Sequence, residues 1–270
     1  MIFYFSGTGN TKWAAEQLAK ATDERLLFIP EELKGACKYE LEDGERIGFC
    51  FPVHGWQPPH VVRQFIRRLS IENAAQVHPY VYALCTCGDS IGRTIEMLQK
   101  ELDGVGLHIG SAFSLVMPES YVCLPFMYTD KPEREQQKIA QARKELEQYA
   151  HMVANRTKGE THTHRGLTPW TFSHVIGAYF NSQMISDRKF TVDEDACIHC
   201  GLCEKVCPTG DLSFDGTLPH WQHDNSCTCC LACYHHCPQH AINYGSITRR
   251  RGQYYFGHPQ TRTKSFSSGT

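Results

Sequence analysis

The C-terminal part of the chain contains one cysteine spacing twice. Nine of the fourteen cysteines fall between Cys197 and Cys237, and eight of them belong to the two copies. Each copy has three cysteines at intervals of three residues, then a fourth cysteine directly before a proline. The copies read Cys197-x2-Cys200-x2-Cys203-x3-Cys207-Pro208 and Cys227-x2-Cys230-x2-Cys233-x3-Cys237-Pro238. Thiols this closely spaced in a chain of 270 residues indicate metal or redox chemistry rather than a disulfide scaffold.

Thiolates in such numbers bind either zinc or iron–sulfur clusters. Structural zinc sites usually join two separated Cys-x2-Cys pairs, whereas each run here supplies a triplet and a fourth cysteine before proline. This pattern matches two [4Fe-4S] clusters that exchange their fourth ligands between the runs. The first cysteine set is therefore predicted as Cys197, Cys200, Cys203 and Cys237, and the second cysteine set as Cys207, Cys227, Cys230 and Cys233.

One further cysteine and six histidines lie among these ligands. Cys229 falls inside the second triplet, out of phase with it. Because eight cysteines already complete two four-iron clusters, we expect Cys229 to be a bystander thiol and the histidines to have surface or packing roles. These histidines are His199, His220, His223, His235, His236 and His240.

Charge and hydropathy limit the classes of function. The hydrophobic fraction of 41% is enough for a core, and the formal net charge of −2 gives no basic field for nucleic acid. Residues 191–245 hold seven acidic residues and one lysine, so the cysteine-rich part has a local formal charge of −6. The chain has no run of 18 apolar residues and begins with a strand-like run, so we expect a cytoplasmic protein without a membrane span.

Through the first 157 residues, short apolar runs alternate with helical patterns. The runs cover 2–5, 26–29, 47–53, 81–86 and 109–116, and the helix candidates lie near 10–22, 59–69, 91–103 and 132–157. Continuous apolar character suits strands that are covered on both faces. Strand and helix in alternation predict an open, five-stranded parallel sheet with helices on both faces. The polar stretch 161–166 is predicted as solvated linker, and the aromatic stretch 170–185 as a helix that docks the two parts together.

A glycine-rich loop follows the first apolar run and precedes the first helix. Its glycines let the backbone curl, and its hydroxyls, amides and helix N-terminus can face a phosphate without Lys or Arg. The loop lacks the Gly-Lys-Ser/Thr of a Walker A motif and the third glycine of a dinucleotide fingerprint. It therefore predicts a mononucleotide phosphate site, with a plain tight turn as the alternative. The predicted phosphate-binding residues are Ser6, Gly7, Thr8, Gly9, Asn10 and Thr11.

In open α/β sheets the ligand lies at the carboxyl ends of the strands, so the loops after the third and fourth runs should enclose the rest of the ligand. Trp56 is placed to stack on the aromatic ring of the bound mononucleotide. The alternative is a surface aromatic residue that packs on its own loop. Cys87 is interpreted as a small residue of a tight loop, without a catalytic role. Met117, Pro118 and Tyr121 either cover the ring or face the cysteine-rich part. The predicted ring-binding residues are Pro52, Val53, His54, Gly55, Trp56, Thr86, Cys87, Gly88, Asp89 and Gly92.

The arrangement Ser/Thr-x-Thr-Gly-x-Thr resembles the phosphate loop of flavodoxins, which bind FMN, and the repeated cysteine run resembles that of bacterial two-cluster ferredoxins. The whole chain is similar to the flavodoxin/ferredoxin fusion proteins of anaerobic bacteria and archaea. The likeness lies at residues 2–11, 51–59, 86–94, 117–121, 189–208 and 227–242. It implies FMN and two [4Fe-4S] clusters in one polypeptide. The expected division is a flavodoxin-like FMN-binding domain at 1–157, a linker or docking segment at 158–188, a small α+β ferredoxin domain at 189–247 and a C-terminal tail at 248–270.

The expected function is electron transfer between the clusters and the flavin within one chain, with an external ferredoxin or oxidoreductase as redox partner. The alternative is an enzyme whose flavin reduces a small molecule, such as a quinone, a nitro compound or a disulfide, with the clusters supplying electrons. A redox sensor for a partner complex is a third hypothesis. No nicotinamide fingerprint is present, which argues against direct NAD(P)H oxidation.

Overall fold

The computed structural model describes residues 1–258. Its strands are β1 (Ile2–Tyr4), β2 (Leu26–Phe28), β3 (Lys38–Tyr39), β4 (Arg46–Pro52), β5 (Ser70–Ile71), β6 (Tyr80–Cys87), β7 (Ile109–Val116), β8 (Thr161–His162), β9 (Phe190–Val192), β10 (Leu212–Phe214), β11 (Pro219–Trp221) and β12 (Ile242–Tyr244). Its helices are α1 (Asn10–Thr22), α2 (Ile29–Glu32), α3 (His60–Arg68), α4 (Ala74–Val77), α5 (Thr94–Asp103), α6 (Pro132–Ala154), α7 (Pro169–Thr171), α8 (Gly177–Tyr179), α9 (Leu202–Lys205) and α10 (Ala232–His236). None of the helices within residues 1–258 combines the length and the apolar character needed to cross a membrane.

The N-terminal part is built on a parallel sheet with the strand order β2-β1-β4-β6-β7-β8. The prediction of a parallel sheet is confirmed, but the predicted number of five strands was wrong. The sixth strand, β8, pairs its Thr161 and His162 with Ala112 and Phe113 at the edge of β7. It lies in the stretch that was predicted as solvated linker.

Packing on β7 explains why this polar stretch forms a strand. The His162 ring lies 6.1 Å from the Phe113 ring and 5.8 Å from the Tyr149 ring, between centroids. The backbone amide of Ala112 donates to the Glu160 carbonyl over 2.9 Å. An open sheet edge leaves backbone groups unpaired, and β8 satisfies part of the β7 edge. Hydrophobic periodicity in the sequence cannot predict a strand of only two residues.

Two apolar cores lie on opposite faces of the sheet. β1 sends Ile2 to the face covered by α1 and α6, and Phe3 to the face covered by α3 and α5. Because the sheet is covered on both faces, its inner strands are apolar at successive positions, as parallel strands of this kind require. Every residue of β6 is buried.

The cysteine-rich part consists of two antiparallel strand pairs, β10 with β11 and β9 with β12, and the short helices α9 and α10. A third core lies here, around Phe190, Leu212, Tyr234 and Tyr244. Val122 and Cys123, from the loop after β7, belong to the same core. The two parts of the chain therefore share apolar packing.

Residues 169–184 form one helical segment in which π-helical turns at Phe172–Ile176 and Phe180–Met184 alternate with α7 and α8. The Gln57 side-chain amide donates to the Ser173 carbonyl over 2.8 Å. At the other end, the Tyr244 hydroxyl donates to the Met184 carbonyl over 3.3 Å. Segment 169–184 thus contacts both the N-terminal part and the cysteine-rich part.

Residues 248–258 fold back from the cysteine-rich part onto the N-terminal part. The Gln253 side-chain amide donates to the carbonyls of Tyr234 and Cys237 over 2.6 and 2.8 Å. The Phe256 amide donates to the Thr8 carbonyl over 2.8 Å, and the Phe256 ring stacks on Trp13 with centroids 5.0 Å apart. The rest of the predicted tail, residues 259–270, lies outside the described residues.

Candidate functional site

A cavity of about 630 Å³ opens at the carboxyl ends of β1, β4, β6 and β7. This is the edge of an open α/β sheet at which ligands bind, and the volume is in the usual range for a small-molecule site. Fourteen of the sixteen residues predicted to bind FMN line it. They are Ser6, Gly7, Thr8, Asn10, Thr11, Pro52, Val53, His54, Gly55, Trp56, Thr86, Cys87, Gly88 and Asp89.

The two predicted residues that do not line the cavity are glycines with positive φ. A Cβ on Gly9 would lie 3.1 Å from the Phe256 Cβ, so this glycine faces segment 248–258. Gly92 faces the Ser173 side chain and the Pro169 carbonyl of segment 169–184. The sequence predicts Gly9 for the tight curl of the phosphate loop and Gly92 for close approach to the ligand. In the structure, both glycines pack closely against segments remote in sequence.

The side chains of Ser6, Asn10 and Thr11 in the phosphate loop make hydrogen bonds within the protein, and Ser6 Oγ accepts from the Gly9 amide over 3.2 Å. The Asn10 amide donates to the Pro118 carbonyl over 3.2 Å, and the Tyr254 hydroxyl donates to Asn10 Oδ1 over 2.6 Å. Thr11 Oγ1 and Thr86 Oγ1 are 2.7 Å apart. Since only one hydroxyl proton is used in that pair, the other can still donate to a ligand. Asn10 therefore fixes the loop, while the Thr11–Thr86 pair retains one donor.

Three cavity residues carry buried polar atoms without a well-formed hydrogen bond. Within residues 1–258, His54 Nδ1 and the Tyr121 hydroxyl have no hydrogen-bond partner. The Thr228 hydroxyl lies beside the Cys230 thiol without a bond of good geometry. Buried polar atoms normally have hydrogen-bond partners. Three such atoms from separate segments without well-formed bonds around one cavity are therefore consistent with a polar ligand that bonds to them.

The structure shows features of both alternatives for Trp56, which were stacking on the ligand and packing within the protein. Its indole N–H donates to Ser90 Oγ over 3.1 Å, and its ring lies 4.6 Å from the Phe172 ring of segment 169–184. It still lines the cavity. Packing on segment 169–184 holds the indole beside the space that a flavin ring would enter.

Glu119 is a site residue that the predicted set lacks. Burial raises the pKa of its carboxyl, and the Tyr121 amide donates to Glu119 Oε1 over 2.8 Å. Lys138 stands nearby, where its ammonium donates to Asp130 over 2.6 Å and to the Gly88 carbonyl over 3.0 Å. The long loop after β7 was the only sequence signal for this group. Glu119 therefore places a carboxyl of raised pKa at the cavity wall.

Cys87 also lines the cavity, and burial raises the pKa of its thiol to about 12. A thiol with this pKa is protonated at neutral pH and is a poor nucleophile. That Cys87 has no catalytic role stays a prediction.

The four thiols of the first cysteine set line a second cavity, of about 20 Å³. Apolar residues such as Phe214 and Ile242 and the prolines Pro219 and Pro238 complete its wall. The Ala241 amide donates to Cys237 Sγ over 3.3 Å. Within residues 1–258, no three His, Cys, Asp or Glu side chains converge at the distance for a single ion. The donor set, the apolar wall and the N–H···S bond fit an iron–sulfur cluster.

In the second cysteine set, burial raises the pKa of the Cys233 thiol well above its ordinary value, and the nearby thiols of Cys230, Cys227 and Cys207 raise this pKa further. The Cys229 amide donates to Cys227 Sγ over 3.4 Å. Cys230 also lines the large cavity. The second set therefore adjoins the predicted flavin site, and its fourth member comes from the other run.

The histidines expected to pack or lie on the surface all have protein partners. His235 is buried: its Nε2 lies 2.7 Å from the Ser120 carbonyl, and its Nδ1 accepts from the Tyr254 amide over 3.0 Å. The other five pair with a carboxylate, a carbonyl, a hydroxyl or a ring: His199, His220, His223, His236 and His240. This agrees with packing or surface roles.

Comparison with known proteins supports the iron–sulfur part. The 4Fe-4S binding domain family matches residues 190–213, which include Cys197, Cys200, Cys203 and Cys207. The chain is 31% identical over 96 residues to the arsenate respiratory reductase iron-sulfur subunit ArrB of Shewanella sp. (strain ANA-3), across 35% of this chain and 39% of that relative. The chain thus spans about two-fifths of that relative's length. It contains a 4Fe-4S binding domain, a module that transfers electrons.

Two solved structures resemble this chain at low similarity. A putative flavoprotein from Bacteroides uniformis ATCC 8492 has a TM-score of 0.31 and 20% identity, covering 42% of this chain and 88% of that one. The rubredoxin oxygen:oxidoreductase from the anaerobe Desulfovibrio gigas has a TM-score of 0.30 and 17% identity, covering 57% of this chain and 36% of that one.

Proposed function

We propose that this protein transfers electrons between two [4Fe-4S] clusters and an FMN bound in the large cavity. One observation carries the proposal: Thr228, Cys229 and Cys230 of the second run line the same cavity as the predicted phosphate and ring loops. A Cβ on Gly7 of the phosphate loop would lie only 2.6 Å from the Cys230 Cβ. This contact supports a short path between a cluster on the second set and the flavin.

The first and second cysteine sets would each hold one cluster, with Cys237 and Cys207 exchanged between the runs. A bound FMN would accept or donate either one electron or two, whereas a single cluster transfers one electron at a time. The protein sets the potentials through hydrogen bonds and burial. In the second set, the Cys229 amide on Cys227 Sγ would contribute to this setting.

The residues of the chain have separate tasks at the flavin. The loop amides and the N-terminus of α1, a helix of 13 residues, bind the phosphate. His54 Nδ1 and the Tyr121 hydroxyl are positioned to hydrogen-bond the polar edge of the ring. Trp56 and Phe180 exclude water from it. Glu119 places a carboxyl at the cavity wall, and burial raises its pKa, so it binds a proton more readily than an ordinary carboxyl.

The test is anaerobic purification with iron, sulfide and flavin quantified, followed by EPR spectra after reduction. We expect about eight irons and about one FMN per chain. The Cys85→Ala variant is the matched control, because Cys85 is buried and belongs to neither set; it should keep the same contents. Zinc in place of iron, or full iron with no flavin after incubation with FMN, would refute the proposal.

A second candidate is a flavin-dependent reductase of a small molecule, with the clusters supplying electrons. The cavity favours it, because its wall continues past the ring loops along an apolar surface of Leu124, Met127, Phe172, Ile176 and Tyr179. Such a surface suits a quinone or a nitro compound. Stopped-flow oxidation of the reduced protein by quinones, nitro compounds and disulfides decides, since rates no faster than those of free FMN would exclude an enzyme.

The redox partner is proposed to be an external ferredoxin or oxidoreductase that exchanges electrons with the first cluster. The supporting feature is exposure: Cys200 is exposed, and the neighbouring Ile198 is 55% exposed. The cysteine content supports a location in the reducing cytoplasm. A small-molecule acceptor would instead enter at the large cavity.

A further inference from the structure

A tight turn at residues 54–57, after β4, brings His54, Gly55 and Trp56 to the wall of the large cavity. The His54 amide donates to the Gln57 carbonyl over 3.0 Å, and the Gln57 amide donates to the His54 carbonyl over 3.2 Å. Between them, Gly55 has a φ of 52° and Trp56 a φ of 55°. A left-handed backbone is unfavourable for a bulky side chain. The protein around turn 54–57 must therefore hold it in this conformation.

Asn181 of segment 169–184 binds two carbonyls of this turn. Its side-chain amide donates to the His54 carbonyl over 3.0 Å and, more weakly, to the Gly55 carbonyl over 3.4 Å. The same amide group donates to the Gly177 carbonyl over 2.8 Å, which anchors it on its own segment. The Gly55 carbonyl also packs against Gly177, where a Cβ would lie only 2.2 Å from the carbonyl oxygen.

The other two carbonyls of turn 54–57 are also engaged. Ser173 Oγ accepts from the Arg93 amide over 2.7 Å, so its proton is free to donate to the Trp56 carbonyl, over 2.9 Å. The Gln57 carbonyl accepts from the His54 amide inside the turn. All four backbone acceptors of turn 54–57 are therefore used by the protein, three of them with help from segment 169–184.

The backbone amides in the middle of the turn differ from its carbonyls. Within residues 1–258, neither the Gly55 amide nor the Trp56 amide forms a hydrogen bond to the protein. In a planar trans peptide, the C=O and the N–H that follows it point in opposite directions. Because the His54 and Gly55 carbonyls face Asn181, the two amides face away from it. Backbone donors that lose water need an acceptor, so these two can bind a ligand in the cavity.

The loop after β6, which also lines the cavity, shows the same use of its carbonyls. The Cys87 carbonyl accepts from the Met117 amide over 2.8 Å. The Gly88 carbonyl accepts from the Lys138 ammonium over 3.0 Å. At both loops, the protein occupies backbone acceptors that a ligand would otherwise meet.

We propose that turn 54–57 is a backbone-donor site for the redox-active edge of the flavin ring, and that Asn181 is the positioning residue that makes it one. This inference rests on the proposed function. A nitrogen of the central flavin ring accepts a hydrogen bond when the ring is oxidised and carries a hydrogen when it is reduced. A turn that can donate but not accept therefore binds oxidised FMN more tightly than reduced FMN, and it lowers the potential of the bound flavin.

The measurement is the midpoint potential of the flavin bound to the full chain. An anaerobic titration with redox mediators is followed by flavin absorbance, and the same titration of FMN-depleted protein gives the cluster contribution. Asn181→Ala frees the His54 and Gly55 carbonyls, and Gly55 lets the peptide rotate toward the ligand. We expect the ratio of oxidised to reduced FMN affinity to fall about tenfold, the effect of one hydrogen bond. The two-electron potential should then rise by about 30 mV.

A second variant and a control separate this role from support of the fold. In Gly177→Ala, the added Cβ would displace the Gly55 carbonyl from segment 169–184, so the potential should rise in the same direction. Asn73→Ala is the matched control. Asn73 also holds a backbone segment, through bonds to the Leu41 amide and carbonyl over 2.9 and 2.8 Å, but it does not line the cavity. This control should lose stability and keep the wild-type potential.

A residue that only supports the fold would weaken both oxidation states equally and leave the potential unchanged. Wild-type potentials in Asn181→Ala and Gly177→Ala, with FMN bound, would overturn the donor site and leave the electron-transfer proposal standing. The wild type provides a test that needs no variant, since tighter binding of reduced than of oxidised FMN would also overturn the donor site. Wild-type protein with full iron that takes up no FMN would instead refute the proposed function, and this inference with it.

Discussion

The two cysteine runs have the same spacing but different surroundings. The first set lines a small cavity near the surface, where Cys200 is exposed. No member of the second set is exposed, and Cys230 packs on Gly7 and lines the large cavity. The repeat thus places one thiol set toward solvent and the other toward the predicted flavin. The difference gives the proposed path an order: external partner, first cluster, second cluster, flavin.

The largest effect that would sharpen this comparison is expected at Cys230. Cys230→Ala should remove the second cluster, lowering the iron content from about eight to about four per chain, and abolish flavin reduction by an external ferredoxin. Cys200→Ala should lose as much iron at the first set. Rapid-mixing spectra of the flavin at equal FMN content give the measurement. Normal flavin reduction in Cys230→Ala would break the proposed order.

The next effect concerns the contact between the phosphate loop and the second run. In Gly7→Ala the added Cβ would meet Cys230 at 2.6 Å, and overpacking of this kind costs about 1–3 kcal/mol of unfolding free energy. We expect weaker FMN binding by fluorescence titration as well as lower stability. Gly35→Ala is the control, since its nearest atom is at an ordinary 3.5 Å. Equal FMN affinity in Gly7→Ala and wild type would argue against a phosphate site at this loop.

Glu119 offers a smaller effect with a defined pH dependence. Its pKa is raised by burial, so the folded state binds the proton more tightly than the unfolded state. The resulting stability is complete below the ordinary carboxyl pKa of about 4.3 and is lost as pH rises through the raised value. Glu119→Gln should therefore gain stability relative to wild type as pH increases.

Urea unfolding of the full chain at several pH values measures this difference. Glu72→Gln, at an exposed position, is the control and should show no such trend. A Glu119→Gln advantage that is constant with pH would show that the carboxyl does not titrate as the burial implies.

Local patterns predicted the parallel sheet well, because they depend on neighbouring residues. The five apolar runs became β1, β2, β4, β6 and β7, and the loop after β1 lines the cavity. Contacts between segments remote in sequence could not be predicted, because no local pattern encodes them. The Tyr254 bond to Asn10, the position of Thr228 at the cavity and the place of Cys123 in the third core depend on how the two parts pack. The two-residue strand β8 was not predicted, because its sequence is polar and packing on Phe113 stabilises it.

The smallest expected effect concerns the surface where an external partner would deliver electrons to the first cluster. Ile198 lines the first-set cavity and is 55% exposed, so it would contact a partner that delivers electrons to the first cluster. Ile198→Ser should lower the second-order rate of reduction by an external ferredoxin about three- to tenfold, as loss of a single apolar contact of about 1 kcal/mol implies. Leu167→Ser removes a fully exposed apolar side chain outside that cavity and should leave the rate unchanged. Equal losses in the two variants would mean that the partner does not distinguish the first set, and the order of the path would then lack its entry point.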